Sequence, residues 1–181
     1  MSKFANAIAK LTLDQKISLL SGQDFWHTVE IADIGLESIR LSDGPSGVRG
    51  ESFDERKPSI SLPSASALSS SWDPDVARRF GEVAASEAID KGVQVVLGPT
   101  INLHRSPLGG RHFEAYSEDP ILTGKLAAAY VTGVQSRNVG ACPKHYVAND
   151  SETERFTLDA IVDEQASVSY THLTLPTNRE V

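Results

Sequence analysis

The sequence predicts an α/β fold built on a parallel sheet, and three observations lead there. Short apolar segments at residues 39–41, 93–97 and 139–142 read as buried strands, because each is continuous rather than alternating. Longer segments of helical spacing lie between them, which is the order of βα units. Charged side chains come after each apolar segment: Asp43 after the first, Arg105 and Arg111 beyond the second, Lys144 and His145 after the third. In a parallel sheet the strand ends gather on one side, and loops leaving that side build ligand sites.

The elements follow in order. Thr12 and Gln15 have the spacing of a capping box, Leu13, Ile17 and Leu20 share a helical face, and Gly22 offers a stop. Asp73 and Pro74 suit the N-cap and first turn of a second helix. Along it Val76, Phe80, Val83, Ala84, Glu87 and Ala88 recur until Gly92. Asp119 and Pro120 repeat that start signal, and Leu122, Leu126, Ala129, Tyr130 and Val134 carry an apolar stripe toward Gly140. No internal repeat or low-complexity linker interrupts the chain.

Composition narrows the function classes. With 181 residues, 40% of them hydrophobic, the chain has the material for a core of one domain or part of one. Seventeen basic against 24 acidic residues leave a net charge of -7, a surface that repels phosphate backbones and excludes nucleic acid as a partner. Cys142 is a single cysteine and fits a reducing compartment. The start MSKFANAIAKLTLDQK lacks the apolar core of a secretory signal, and no apolar run is long enough to span a bilayer. The expectation is a soluble, cytoplasmic protein with no membrane partner.

Each charged residue has a structural reading beside a functional one. Asp43 before Gly44-Pro45 has the makings of a turn. Gly109-Gly110 lacks the spacing of a phosphate loop, which argues against nucleotide binding. Arg111 has Glu114 and Glu118 within reach as ion-pair partners. Lys144 lowers the proton affinity of His145 through like charge. His27, His104, His112 and His145 show no metal-ligand spacing, so no metal is expected. Trp26 and Trp72 read as core or rim residues before sugar platforms.

Five blocks, "LLSGQDFWHT", "RLSDGPSGVRG", "LPSASALSSSWDPDV", "GPTINLHRSPLGGRHFEAYSEDP" and "PKHYVANDSETERFTLDAIVDEQA", resemble in order and spacing the amino-terminal domain of glycoside hydrolase family 3 β-glucosidases. The resemblance covers about residues 10–166. It implies a (β/α)8 TIM-like barrel in the first domain, an α/β second domain, retaining hydrolysis of terminal β-linked glucose, and no metal or organic cofactor. Carried to matching positions, it makes Asp43 the acceptor for sugar hydroxyls far from the anomeric carbon. It makes Arg111, Lys144 and His145 donors to the remaining hydroxyls and adds Arg155 to the same shell. The substrate implied is a β-glucoside or short oligosaccharide. The "KHYVAND" continuation is glucosidase-like, unlike the "PGHG"-like run of N-acetylglucosaminidase members.

Two departures qualify the resemblance. Retaining hydrolysis uses two carboxyl groups about 5–5.5 Å apart. In the family the nucleophile sits in a downstream "SDW"-like motif and the acid/base glutamate in the second domain. Neither block is present, so no catalytic residue is assigned; Asp43, Glu114 and Asp150 fall in binding or structural roles. The second departure is the end of the chain: from about Val168, "VSYTHLTLPTNREV" resembles translated sequencing-adapter DNA, with Thr171, Thr174, Pro176 and Thr177 breaking the helical stripe. The expected division is therefore residues 1–166 as the amino-terminal part of the barrel domain and 167–181 as a foreign tail. Since a complete barrel takes about 250 residues, the fold expected is a partial (β/α)8 barrel of about five strands, truncated before closure. Such an open edge predicts poor solubility and no turnover. The competing expectation is a non-catalytic sugar-binding or interaction module. An in-frame continuation carrying an "SDW" block would favour the enzyme, and a true stop codon the module.

Overall fold

Both long helices begin where the sequence places an Asp-Pro pair. In the computed structural model, which describes residues 4–50 and 56–167, α1 (Ala5–Lys10) and α2 (Leu13–Ser18) precede strand β1 (Leu41–Ser42). Then come α3 (Ala65–Ser69), α4 (Pro74–Asp90), β2 (Val95–Val96), α5 (Pro120–Gln135) and β3 (Gly140–Ala141). The expected foreign tail, apart from Ser167, lies outside the described residues.

Local chemistry explains the boundaries. The Thr12–Gln15 capping box forms, with both reciprocal bonds present at 2.9 and 3.1 Å. Asp73 Oδ1 accepts from the amides of Asp75 at 2.8 Å and Val76 at 3.4 Å, and Asp119 Oδ1 from Ile121 at 2.7 Å. Pro74 and Pro120 follow at positions where a missing N–H is harmless. Helix α4 stops just before Gly92, which takes φ +66°. Helix α5 ends at Gln135, short of Gly140, and the following turn places Asn138 at φ +58°.

The three strands form a parallel sheet in the order β1-β2-β3. Leu41 pairs with Val95 and Val95 with Gly140; Ser42 pairs with Val96 and Val96 with Ala141. Side chains alternate across a strand, so Ser42, Val96 and Ala141 share the face that packs on the helices. There Val96 joins Val48, Ala84, Ala88, Tyr130 and Val134 in one core cluster. A second cluster gathers Leu68, Ile101, Leu103, Tyr116 and Leu126 between α3, α5 and the loop after β2. Regular strands are shorter than the apolar segments, but parallel pairing continues past β2, where Thr100 bridges both Ala115 and Lys144.

The buried stripe of α4 matches the expected one at Ala84 and Ala88, with Val76 and Phe80 packed against the core, and departs from it elsewhere. Ala77, Gly81, Ala84, Ala85 and Ala88 face inward, while Val83 is 38% exposed. The cause is the closeness of α5: a Cβ on Gly81 would stand 2.2 Å from Tyr130 O, and one on Gly133 would stand 2.0 Å from Arg78 O. Only small residues fit where two backbones nearly touch. The expected face of α2 is largely uncovered by the described residues, with Leu13 72% and, just past the helix, Leu20 88% exposed. Among the described residues, no helix is long and apolar enough to cross a membrane.

Candidate functional site

Charged side chains from all three strand ends meet on one side of the sheet. After β1, the chain turns sharply at Gly44, whose φ is +94° and where a Cβ would collide with Gly47 O. The turn brings Arg49 back onto Asp43: Nε donates to Oδ1 at 2.7 Å and Nη2 pairs with Oδ2. The Arg49 guanidinium also lies 4.8 Å from the centre of the Trp26 ring. Asp43 is thus both the turn residue and a carboxylate held in one orientation by a planar cation.

Glu114, in a short 3-10 turn after β2, is the hub. It is 8% exposed; one oxygen takes Arg111 Nε, and the other takes Lys144 Nζ at 3.1 Å and Thr100 Oγ1 at 3.1 Å. Burial pushes its carboxyl pKa up, but Lys144 and Arg111 outweigh it and hold the group below the ordinary range. Arg111 reaches Glu152 as well, Nη1 to Oε1 at 3.3 Å. Glu118 is absent from this network; of the two expected partners, Glu114 is the one engaged.

A cleft of about 510 Å³ opens between these groups, lined by Asp43, Arg111, Phe113, Glu114 and Lys144 with residues 60–62 as its wall. Two backbone contacts fix that wall against the Asp43 loop: Leu62 N–H donates to Ser46 O at 2.9 Å, and Gly47 lies too close to Ile60 O to admit a side chain. Behind it, Glu87 of α4 accepts from the amides of Val48 at 2.7 Å and Ile60 at 2.6 Å. Just past the end of that helix, Lys91 Nζ donates to Ser59 Oγ at 2.7 Å.

Of the five residues singled out by sequence, three line the cleft: Asp43, Arg111 and Lys144. His145 lies across Arg111, in a separate cavity of about 10 Å³ that Arg111 also lines, with Asn102, Asn149 and Glu152. Its pKa falls to about 4, mainly through burial, then through Arg111 and Lys144, with Glu114 and Glu152 opposing. The expected like-charge effect of Lys144 is present but third in size. Arg155 lines neither space; its guanidinium is half exposed, pairs with Glu152 Oε2 at 3.2 Å and lies 5.4 Å from the Phe156 ring centre.

Sequence reasoning passed over Arg49, Asn102 and Glu152. The signal for Asn102 is a lone amide inside the apolar run "TINLH"; Arg49 and Glu152 carry no comparable mark. Asp150 pairs with Arg105 Nε at 3.0 Å, so Asp43, Glu114, Asp150 and Glu152 each have a cation beside them. Among the described residues, no group of three or more His, Cys, Asp or Glu side chains is placed to hold a metal ion. The arrangement presents fixed donors and acceptors to a neutral polar ligand.

Comparison with known proteins gives a consistent set of relatives. The glycosyl hydrolase family 3 N terminal domain matches residues 49–173. Beta-glucosidase B of Emericella nidulans is 46% identical over 165 residues, covering 91% of this chain and 20% of that protein. A beta-glucosidase of Rhizobium radiobacter is 50% identical over 157 residues, covering 86% and 19%. Among solved structures, the beta-glucosidase of Kluyveromyces marxianus in complex with glucose superposes with a TM-score of 0.87 at 41% identity, over 93% of this chain and 21% of that one. Beta-glucosidase 3B of Thermotoga neapolitana in complex with glucose gives 0.86 at 34%, over 97% and 28%. The chain spans about a fifth of the length of the curated relatives it matches.

Proposed function

We propose, from the premise that this chain belongs to glycosyl hydrolase family 3 as an N-terminal domain, that it carries the sugar-recognition part of a retaining β-glucosidase. The reaction is hydrolysis of terminal non-reducing β-D-glucosyl residues, and the substrate is a β-glucoside or short oligosaccharide. The observation that supports this most directly is the cleft at the strand ends, where Asp43, Arg111 and Lys144 converge. Asp43 accepts from sugar hydroxyls with the lone pairs that Arg49 leaves free, and Arg111 and Lys144 donate. His145, across Arg111 from the cleft, and Arg155, through its pair with Glu152, belong to the outer part of the same shell. The fold belongs to an incomplete (β/α)8 barrel, with residues 1–166 its amino-terminal part and 167–181 foreign to it.

The chemistry needs a nucleophile and an acid/base pair of carboxyls. Neither is assigned to this chain, whose cleft carboxylates are engaged by arginine and lysine, and no metal or organic cofactor takes part. The chain therefore binds sugar and does not turn it over. Calorimetric titration with glucose, with an aryl β-glucoside hydrolysis assay alongside, tests both halves. Each charge-assisted bond is worth about 1.5–3 kcal/mol, so Asp43→Ala should weaken glucose binding by about tenfold or more. Binding that is indifferent to Asp43→Ala defeats the assignment of the cleft, and hydrolysis above the Asp43→Ala background defeats the absence of turnover.

A further inference from the structure

Asn102 makes polar contacts that the sugar-site reading leaves unused. It lies just after Ile101, whose N–H donates to Lys144 O at 2.7 Å, and this pairing sets residue 102 beside residue 145. The Asn102 side chain is buried, the residue being 4% exposed. His145 N–H donates to Asn102 Oδ1 at 3.0 Å, which decides the orientation of the amide, since only its oxygen accepts. The same oxygen stands 2.8 Å from His145 Nδ1. Two lone pairs repel at that separation, and the oxygen has no proton to give, so Nδ1 carries it.

Asn149 Nδ2 also approaches Nδ1, at 3.1 Å, but it donates to Glu152 Oε1 at 3.1 Å and does not need the ring as an acceptor. The orientation of Asn102 has a cost of its own: Nδ2 is buried with no hydrogen-bond partner among the described residues. The amide is placed to serve the imidazole, not itself.

We propose that Asn102 is a positioning residue that fixes His145 in the tautomer with its proton on Nδ1, so that the ring meets a sugar hydroxyl at Nε2 as an acceptor. The sugar contact rests on the reading given under the proposed function. Lys144 and Arg111 only donate. An accepting ring supplies the other half of what a hydroxyl, both donor and acceptor, requires.

The test is long-range proton–nitrogen NMR at neutral pH on the 181-residue chain labelled with 15N-histidine, using His145→Gln to assign the resonance. The expected result is a pyrrole-type shift at Nδ1 and a pyridine-type shift at Nε2. Asn102→Asp keeps the accepting oxygen and should keep that pattern, whereas Asn102→Leu should move it toward the Nε2-protonated or averaged form. Should Asn102→Leu lose its folded spectrum, the wild-type and Asn102→Asp spectra decide. A wild-type ring protonated on Nε2 or averaged between tautomers overturns the proposal, as does a pattern unmoved in folded Asn102→Leu. Added glucose should shift Nε2; a fixed tautomer with an unmoved Nε2 would defeat the sugar contact while leaving the tautomer lock standing.

Discussion

Glu114 holds two cations and a hydroxyl at the cleft, and its removal has consequences that can be stated in advance. Taking one partner out of a buried ionic network costs about 3–5 kcal/mol, which is the loss expected for Glu114→Ala in a urea titration. The pH dependence follows from two groups. His145 has a folded pKa of about 4 against about 6.5 when unfolded. The unfolded chain therefore binds the proton first, and stability falls as pH drops from about 6.5 toward about 4. Glu114 has a lowered folded pKa, so its contribution is present above its unfolded value and is lost as pH falls through the folded one. A urea midpoint that declines across the histidine window in the wild type should decline less in His145→Gln; equal declines would contradict the assignment. At this scale Asp43, Arg111 and Lys144 were legible because each comes after an apolar segment, and topology converts that position into convergence. Asn102 was not, because a lone amide in an apolar run gives no hint of which side chain it will meet. Sequence spacing likewise gave Arg155 no direction: it points to Glu152 and Phe156, away from the cleft lining.

Helices α4 and α5 show what sequence periodicity captures and what it misses. Their starts were legible because Asp-Pro combines a side-chain acceptor with a residue that needs no amide partner. Asp73→Ala and Asp119→Ala should each cost about 1 kcal/mol, read as a shift in thermal midpoint. Their contact was legible only in part: the expected stripe held Ala84 and Ala88 but passed over Gly81 and Gly133, where the two backbones come closest. Gly133→Ala places a methyl against Arg78 O, so it should destabilise by about 1–3 kcal/mol. An unchanged urea midpoint would mean that the helices stand farther apart. Helix α3 escaped the sequence reading because its serine-rich run has no apolar period; Ser64 caps it through the Ala67 amide at 3.2 Å. The Glu87 contacts make a further element-level prediction. Glu87→Ala should accelerate hydrogen exchange at the Val48 and Ile60 amides by about tenfold, the effect of losing roughly one hydrogen bond of stabilisation.

Across the whole molecule, the parallel order of the sheet was legible from three apolar segments and the helices between them. The extent of regular strand was not, because the chain leaves the ladder at turns and at Pro99 that hydrophobicity does not mark. Large apolar side chains remain uncovered at the amino-terminal end, among them Leu13, Ile17, Leu20 and Phe25. Such a surface favours association, and sedimentation should show self-association that rises with concentration. Each regular strand pairs through two residues, with isolated bridges at Thr100 beyond β2, so the ladder is short where it meets the cleft. The mouth of the cleft consequently takes its shape from the helices at its back. Glu87 and the glycine seam between α4 and α5 become levers on ligand discrimination, and selectivity can be retuned from the rear without altering a single group that lines the cleft.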